Sequence, residues 1–230
     1  MLTDSKNSRL FKFARRLGRY CYEGWLIVWA WFWIVLCAIA SRLLAIANIY
    51  PFLAANKPLE TANALVVEGW LSDMALKRAV DEFQQGAYQW LIVTSCPLLH
   101  GYYLSDCENF ADLKTATLIK LGIEPNRIIS LAVPKAEHHR TITAAMTLHD
   151  WLLNEAPTIR SINVYTVGPH ARRSWKLFQR VLEPTVRVGI IAAPPLTYDP
   201  KCWWTSSEGA RSVISETIGY TYAILLNRAS

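Results

Sequence analysis

The sequence predicts an α/β protein: a Rossmann-like three-layer fold with a mostly parallel sheet, preceded by one N-terminal transmembrane helix. Three observations carry this expectation. From residue 63 onward, short β-branched runs alternate with helical patterns. Residues 24–40 (GWLIVWAWFWIVLCAIA) contain no charge. Basic residues crowd ahead of that stretch and thin out behind it.

The order of elements begins with a basic tail over 1–22 and an anchor over 23–47. The uncharged core of the anchor is about 17 residues, near the lower limit for crossing a bilayer. Arg42 lengthens it by directing its guanidinium to the headgroups, and Leu43, Leu44 and Ile46 continue the apolar run. Trp25, Trp29, Trp31 and Trp33, with Tyr20 and Tyr22, suit the interface on the N-terminal side. Lys6, Arg9, Lys12, Arg15, Arg16 and Arg19 precede the span against Asp4 and Glu23; Arg42 and Lys57 follow, with Glu60. This asymmetry expects a single-pass protein with a cytoplasmic N-terminus and an extracytoplasmic, periplasmic-side domain. Ala45-Ile46-Ala47 resembles a cleavage site, but the apolar stretch is long for a signal and Arg42 interrupts the approach. The first 23 residues account for +4 of the net charge of +6, which leaves +2 for the rest. No nucleic-acid partner is expected, because the basicity belongs to topology.

Residues 48–62 contain two prolines and no period, and read as a linker to the domain over 63–230. A buried-type strand over 64–67 comes first. Ser72 then caps a helix over 73–85 that stops at Gly86. The second strand covers 90–94, followed by a loop of about a dozen residues, longer than a usual βα turn. A helix over 108–121 ends at Gly122, and 127–132 is the third strand. After the polar loop 134–140, Thr141 caps a helix with Ile142, Ala145, His149 and Leu152 on one side. The fourth strand, 162–167, ends at Gly168-Pro169 and leads into a helix with Ala171, Trp175, Phe178 and Leu182 on one face. A fifth strand (186–192), an aromatic segment with Trp203 and Trp204, and a helix over 207–226 complete the chain. Of five cysteines, Cys96, Cys107 and Cys202 would face an oxidising compartment, which leaves a Cys96–Cys107 bridge open and an odd thiol over; no Cys/His spacing suggests zinc.

Open parallel sheets bind ligands beyond the carboxyl ends of their strands. Glu68 follows the first strand, Thr94 and Ser95 end the second, and Glu137, His138, His139, Arg140 and Thr141 follow the third. His170, Arg172 and Arg173 follow the fourth, at a helix start whose free N–H groups favour an anion. The expected catalytic pair is His170 and Glu68. Arg140, Thr141, Arg173, Arg172 and Ser95 are the expected ligand contacts, and no metal site is expected. Competing readings stand beside these: a solvated basic helix face for Arg172, Lys176 and Arg180, an arginine pair for Glu68, and a helix cap for Thr141. Trp203 and Trp204 suit core packing, a stacking lid or a lipid contact equally. GxGxxG and GxxxxGK[ST] are both missing, which disfavours a standard dinucleotide or P-loop site.

Several short motifs, in order, resemble the ElyC/SanA/YdcF family of envelope-associated proteins. They are ALVVEGW, LKRAVDEFQQG, LIVTSCP, RTITAA, VGPHARRS and Glu216 to Gly219, covering about residues 63–225. The His-x-x-Arg motif places His170 and Arg173 on the most specific of them. Glu68, Trp70, Cys96 and Pro97 stand where that family commonly has glycine, which crowds a ligand needing close backbone approach. The resemblance implies a Rossmann-like fold, membrane anchoring and a link to envelope polysaccharide or peptidoglycan metabolism. The expected partners are therefore membrane lipid and an anionic or lipid-linked envelope precursor, with the cofactor left unknown. The alternatives are a non-catalytic module for an anionic ligand and, less favoured because of the missing glycines, an S-adenosylmethionine enzyme.

Overall fold

In the computed structural model, residues 4–95, 110–133 and 140–226 are described. The loops after the second and third strands, including Glu137, His138, His139 and the two cysteines of the possible bridge, Cys96 and Cys107, lie outside them. The chain divides into two compact units, 1–48 and 49–230.

The first unit holds most of helix α1 (Asp4–Leu53). Its stretch Ile27–Leu53 is long and apolar enough to cross a membrane. Residues 49–53 belong to the second unit, so 27–48 remain for the span, about 33 Å at 1.5 Å per residue against a hydrocarbon core of about 30 Å.

The second unit is a Rossmann-like sandwich. Its strands are β1 (Ala64–Glu68), β2 (Trp90–Ser95), β3 (Ile128–Ala132), β4 (Ser161–Val167) and β5 (Arg187–Ala193), all parallel, in the order β3-β2-β1-β4-β5. The crossovers are α2 (Asp73–Gln85), α3 (Phe110–Lys120), α4 (Arg140–Asn154) and α5 (Ala171–Leu182); α6 (Ser207–Leu226) comes last. Each helix forms because its apolar residues recur at helical spacing. In α2, Ala75, Leu76, Ala79, Val80 and Phe83 are buried, and Ser72 Oγ accepts from the Ala75 N–H as the cap. The α2 and α3 side chains pack on Leu65, Val67, Leu91 and Val93. Ala145, Leu148, Leu152, Phe178 and Leu182 from α4 and α5 cover Ala64, Val66, Ile92, Ile162 and Val164 on the other face. Each fully buried Leu or Phe contributes roughly 1.5–3 kcal/mol.

Residues 49–62, expected as a linker, are part of this unit. Tyr50 and Leu53 are buried against Trp203 and Val213. Lys57 exchanges two backbone hydrogen bonds with Ile190 of β5, 2.8 and 3.0 Å, so the segment covers an otherwise open sheet edge. Buried Asn163 holds it from below: its Oδ1 accepts from Leu59 N–H (2.8 Å), and its Nδ2 donates to Leu59 O (3.0 Å) and Tyr88 Oη (2.9 Å). The space is opened by Gly189, where a Cβ would stand 2.1 Å from Asn163 Oδ1 and 2.7 Å from Leu59 N. Gly189→Ala is therefore expected to destabilise by about 3 kcal/mol. Limited proteolysis should then cut within 54–62, whereas uncut segments and an unchanged melting curve would contradict this account.

Candidate functional site

From β1 the chain steps outward through β2 to β3, then returns to the opposite side of β1 as β4. The crevice of such a sheet opens at this switch point, beyond the carboxyl ends of β1 and β4. Glu68 closes β1. Alternation along the strand puts it on the same face as Ala64 and Val66, beneath α4 and α5. Thr94, its register partner on β2, and Thr166 on β4 share that face. After β4 the chain turns sharply at Gly168, whose φ of +56° is one that L side chains rarely adopt. The Gly168–His170 turn delivers His170 to the start of α5, with Arg173 and Ser174 in its first turn.

The contacts form a chain of charges. Glu68, only 4 % exposed, accepts hydrogen bonds from Thr166 Oγ1 (2.5 Å, at Oε2) and Ser174 Oγ (2.9 Å, at Oε1). His170 Nε2 lies 3.5 Å from Glu68 Oε1, an ion contact longer than a hydrogen bond. Its Nδ1 is 2.9 Å from Glu216 Oε1 on α6. Arg173 donates to the same carboxylate through Nε (2.8 Å) and Nη2 (3.0 Å). Arg173 has only donors, so the proton on Nδ1 goes to Glu216 and the 3.0 Å approach of Nη2 to Nδ1 is a by-product of shared acceptance. One turn beyond Glu216, Gly219 lets the guanidinium lie on α6: a Cβ there would be 3.2 Å from Arg173 Nε. The Trp70 indole covers the imidazole edge-on, with ring centroids 5.0 Å apart.

Two carboxylates hold the imidazole charged. Burial disfavours its charge, but the negative charge of Glu68 and the hydrogen bond to Glu216 outweigh this and raise its pKa to about 9. Burial likewise pushes both carboxyls up, and the same partners reverse it. Glu68 is held below its ordinary value by His170 and its hydrogen-bond donors, and Glu216 falls to about 2 through His170 and Arg173. Near neutrality His170 is therefore a proton donor and not a base. The side chain is only 13 % exposed, and its Nε2 has no hydrogen-bond partner among the described residues. The same is true of Thr94 Oγ1. A buried polar atom left without a partner in a folded protein calls for a ligand, a water or an ion to satisfy it.

The structure thus brings Glu68, His170 and Arg173 together. Glu68 pairs with the imidazole, not with an arginine. Arg172, expected as a ligand contact, is committed elsewhere: its Nε donates to Phe52 O and its guanidinium lies over the Phe52 ring, 4.0 Å from the centroid. Arg140 is exposed at the first position of α4 and makes no hydrogen bond or ion pair among the described residues. Helix α4 starts one residue ahead of the expected cap, so Thr141 sits within the first turn. Ser95 closes β2, and its side chain lies outside the described residues. Thr166, Ser174 and the indole of Trp70 were not among the expected site residues. Ser174 carried a signal, standing four residues after His170 on the same helical face. Glu216 was visible as a motif, without its partner. Among the described residues no group of three His, Cys, Asp or Glu side chains is placed to hold a metal ion.

Fold and site together define an α/β protein with a buried cluster around a charged histidine at the switch point of its sheet. No family model, curated protein or solved structure matches the chain.

Proposed function

We propose that this is a membrane-anchored, ElyC/SanA/YdcF-like envelope protein whose extracytoplasmic domain binds a phosphate-bearing or lipid-linked cell-envelope precursor at the switch point. The observation that carries the reading is the buried, charged His170 at the switch point, whose Nε2 lacks a hydrogen-bond partner among the described residues; Thr94 Oγ1, at the end of β2, lacks one too. An oxygen of a phosphate or glycosyl group placed there receives the Nε2 proton's hydrogen bond, while Glu216 holds the ring at Nδ1 and Glu68, 3.5 Å from Nε2, helps to keep it charged. Arg140 and the N–H groups of the first turn of α4 supply further positive potential along the same rim. In a metal-free transfer, His170 would protonate or stabilise the leaving oxygen, a role suited to a ring that keeps its proton at neutral pH. One observation favours the non-catalytic alternative: the charges of Glu68, Glu216, His170 and Arg173 cancel, and the Nε–Nη2 edge of Arg173 is taken by Glu216.

Binding of a polyprenyl phosphate to the full chain in detergent, read by native mass spectrometry, tests the site. Thr94→Val should weaken binding about tenfold, the effect of one lost hydrogen bond, and His170→Ala should abolish it. Equal binding by all three proteins would remove the proposed site. Binding without phosphate release or transfer would leave the module reading.

A further inference from the structure

We infer that the Trp70 indole is the platform on which a sugar ring of the ligand stacks, so that the group held at the switch point is the glycosyl part of the precursor; this rests on the binding site proposed above. The turn that carries the indole is fixed from both sides. Gly69 N–H donates to Thr94 O (2.8 Å), which continues the pairing of β1 with β2 into the turn, and Leu71 N–H donates back to Glu68 O (3.1 Å). Glu68, Gly69 and Leu71 are buried, whereas Trp70 between them is 53 % exposed. Packing does not ask for it there. Trp203 is buried against Tyr50, Leu53 and Val213, and Trp175 is seated by its Nε1 hydrogen bond to Val188 O. A single exposed apolar residue would mean little elsewhere, but this one meets the His170 ring, centroids 5.0 Å apart and planes crossed at 73°. Rings crossed in this way touch edge to face, which leaves at least one face of the indole free of the imidazole. Glu68, Glu216 and Arg173, the ring's ionic neighbours, are largely buried. Of the described neighbours, Trp70 is therefore the one that a ligand arriving from solvent meets first.

The charges of the cluster decide which part of a precursor belongs there. Glu68 and Glu216 bring two negative charges and His170 and Arg173 two positive ones, so a phosphate finds no surplus positive charge within it. What remains on offer is the His170 Nε2 proton, the Thr94 hydroxyl and the open face of the indole. That set complements a sugar. Its hydroxyls accept from Nε2 and pair with a threonine hydroxyl that both donates and accepts. Its C–H face, slightly positive, packs on the negative face of the indole. An isoprenoid chain in the same place would leave both polar atoms unpaired, at a cost in affinity.

Native mass spectrometry of the full chain in detergent tests this with two probes, polyprenyl phosphate and the same lipid with N-acetylglucosamine joined to its phosphate. The unaltered protein should bind the sugar-bearing lipid about tenfold more tightly, the effect of one stacked ring. Trp70→Ala should erase that preference and leave the Kd for polyprenyl phosphate unchanged. Trp70→Phe, which keeps an aromatic face, should retain most of the preference. Equal affinities for the two lipids in the unaltered protein, a preference that survives Trp70→Ala, or an equal loss for both lipids in that variant would overturn the platform. If polyprenyl phosphate binding still falls with His170→Ala, the switch-point site stands without it. Binding of neither lipid would overturn the site and the platform together.

Discussion

Glu216→Ala is expected to lower the stability of the domain by about 3–5 kcal/mol, the usual cost of stripping one partner from a buried ion pair. The loss has two parts. Arg173 loses both hydrogen bonds that seat it on α6, and the charged His170 loses the acceptor of its Nδ1 proton. Glu216→Gln keeps the shape and one acceptor oxygen, so its cost should be smaller, about 2 kcal/mol. Urea unfolding of the full chain in detergent measures both. If the alanine variant lost less than about 1 kcal/mol, the level of a surface ion pair, the cluster would not be holding α6 to α5.

The second large effect is a decline of stability on the alkaline side. His170 is raised to about 9 from an ordinary 6.5. Between those values the folded chain binds a proton that the unfolded chain has released. The stabilisation is complete below about pH 6.5 and lost as pH rises through 9, on the order of 3 kcal/mol in all. Glu216 acts in the opposite direction: its contribution is present above pH 4.5 and lost as pH falls towards 2. Stability should therefore peak between about pH 4.5 and 6.5 as far as these two groups decide it. Imidazole NMR resonances give the midpoint directly, and Glu216→Gln should move it downwards. A midpoint near 6.5 in the unaltered protein would mean that the two carboxylates do not hold the ring charged.

The site was legible where its chemistry depends on position along one strand. Glu68 and His170 each follow a strand end, and strand ends of a parallel sheet share one rim, so their meeting follows from alternation alone. Ser174 was within reach of the same reasoning, one helical turn beyond His170. Arg172 was not, because neighbouring residues on a helix point about 100° apart: Arg173 faces α6 while Arg172 reaches the carbonyl of Phe52. Glu216 lies 46 residues from His170, and no local pattern announces which strand end a last helix will cross.

What the sequence by itself determined is everything with a short period or a simple count. This covers the alternation of strands and helices, the uncharged stretch long enough for a bilayer, the charge asymmetry around it, and the histidine after β4. These are decided within a few residues, by dihedral preference and by which side chains avoid water. Tertiary structure alone decided the partners: Glu216 for His170, Leu59 for Asn163, Phe52 for Arg172, and residues 49–62 as a strap on β5 in place of a free linker. The physical reason is that a buried polar group must find its complement wherever packing brings one, and packing joins residues 43 to 133 positions apart.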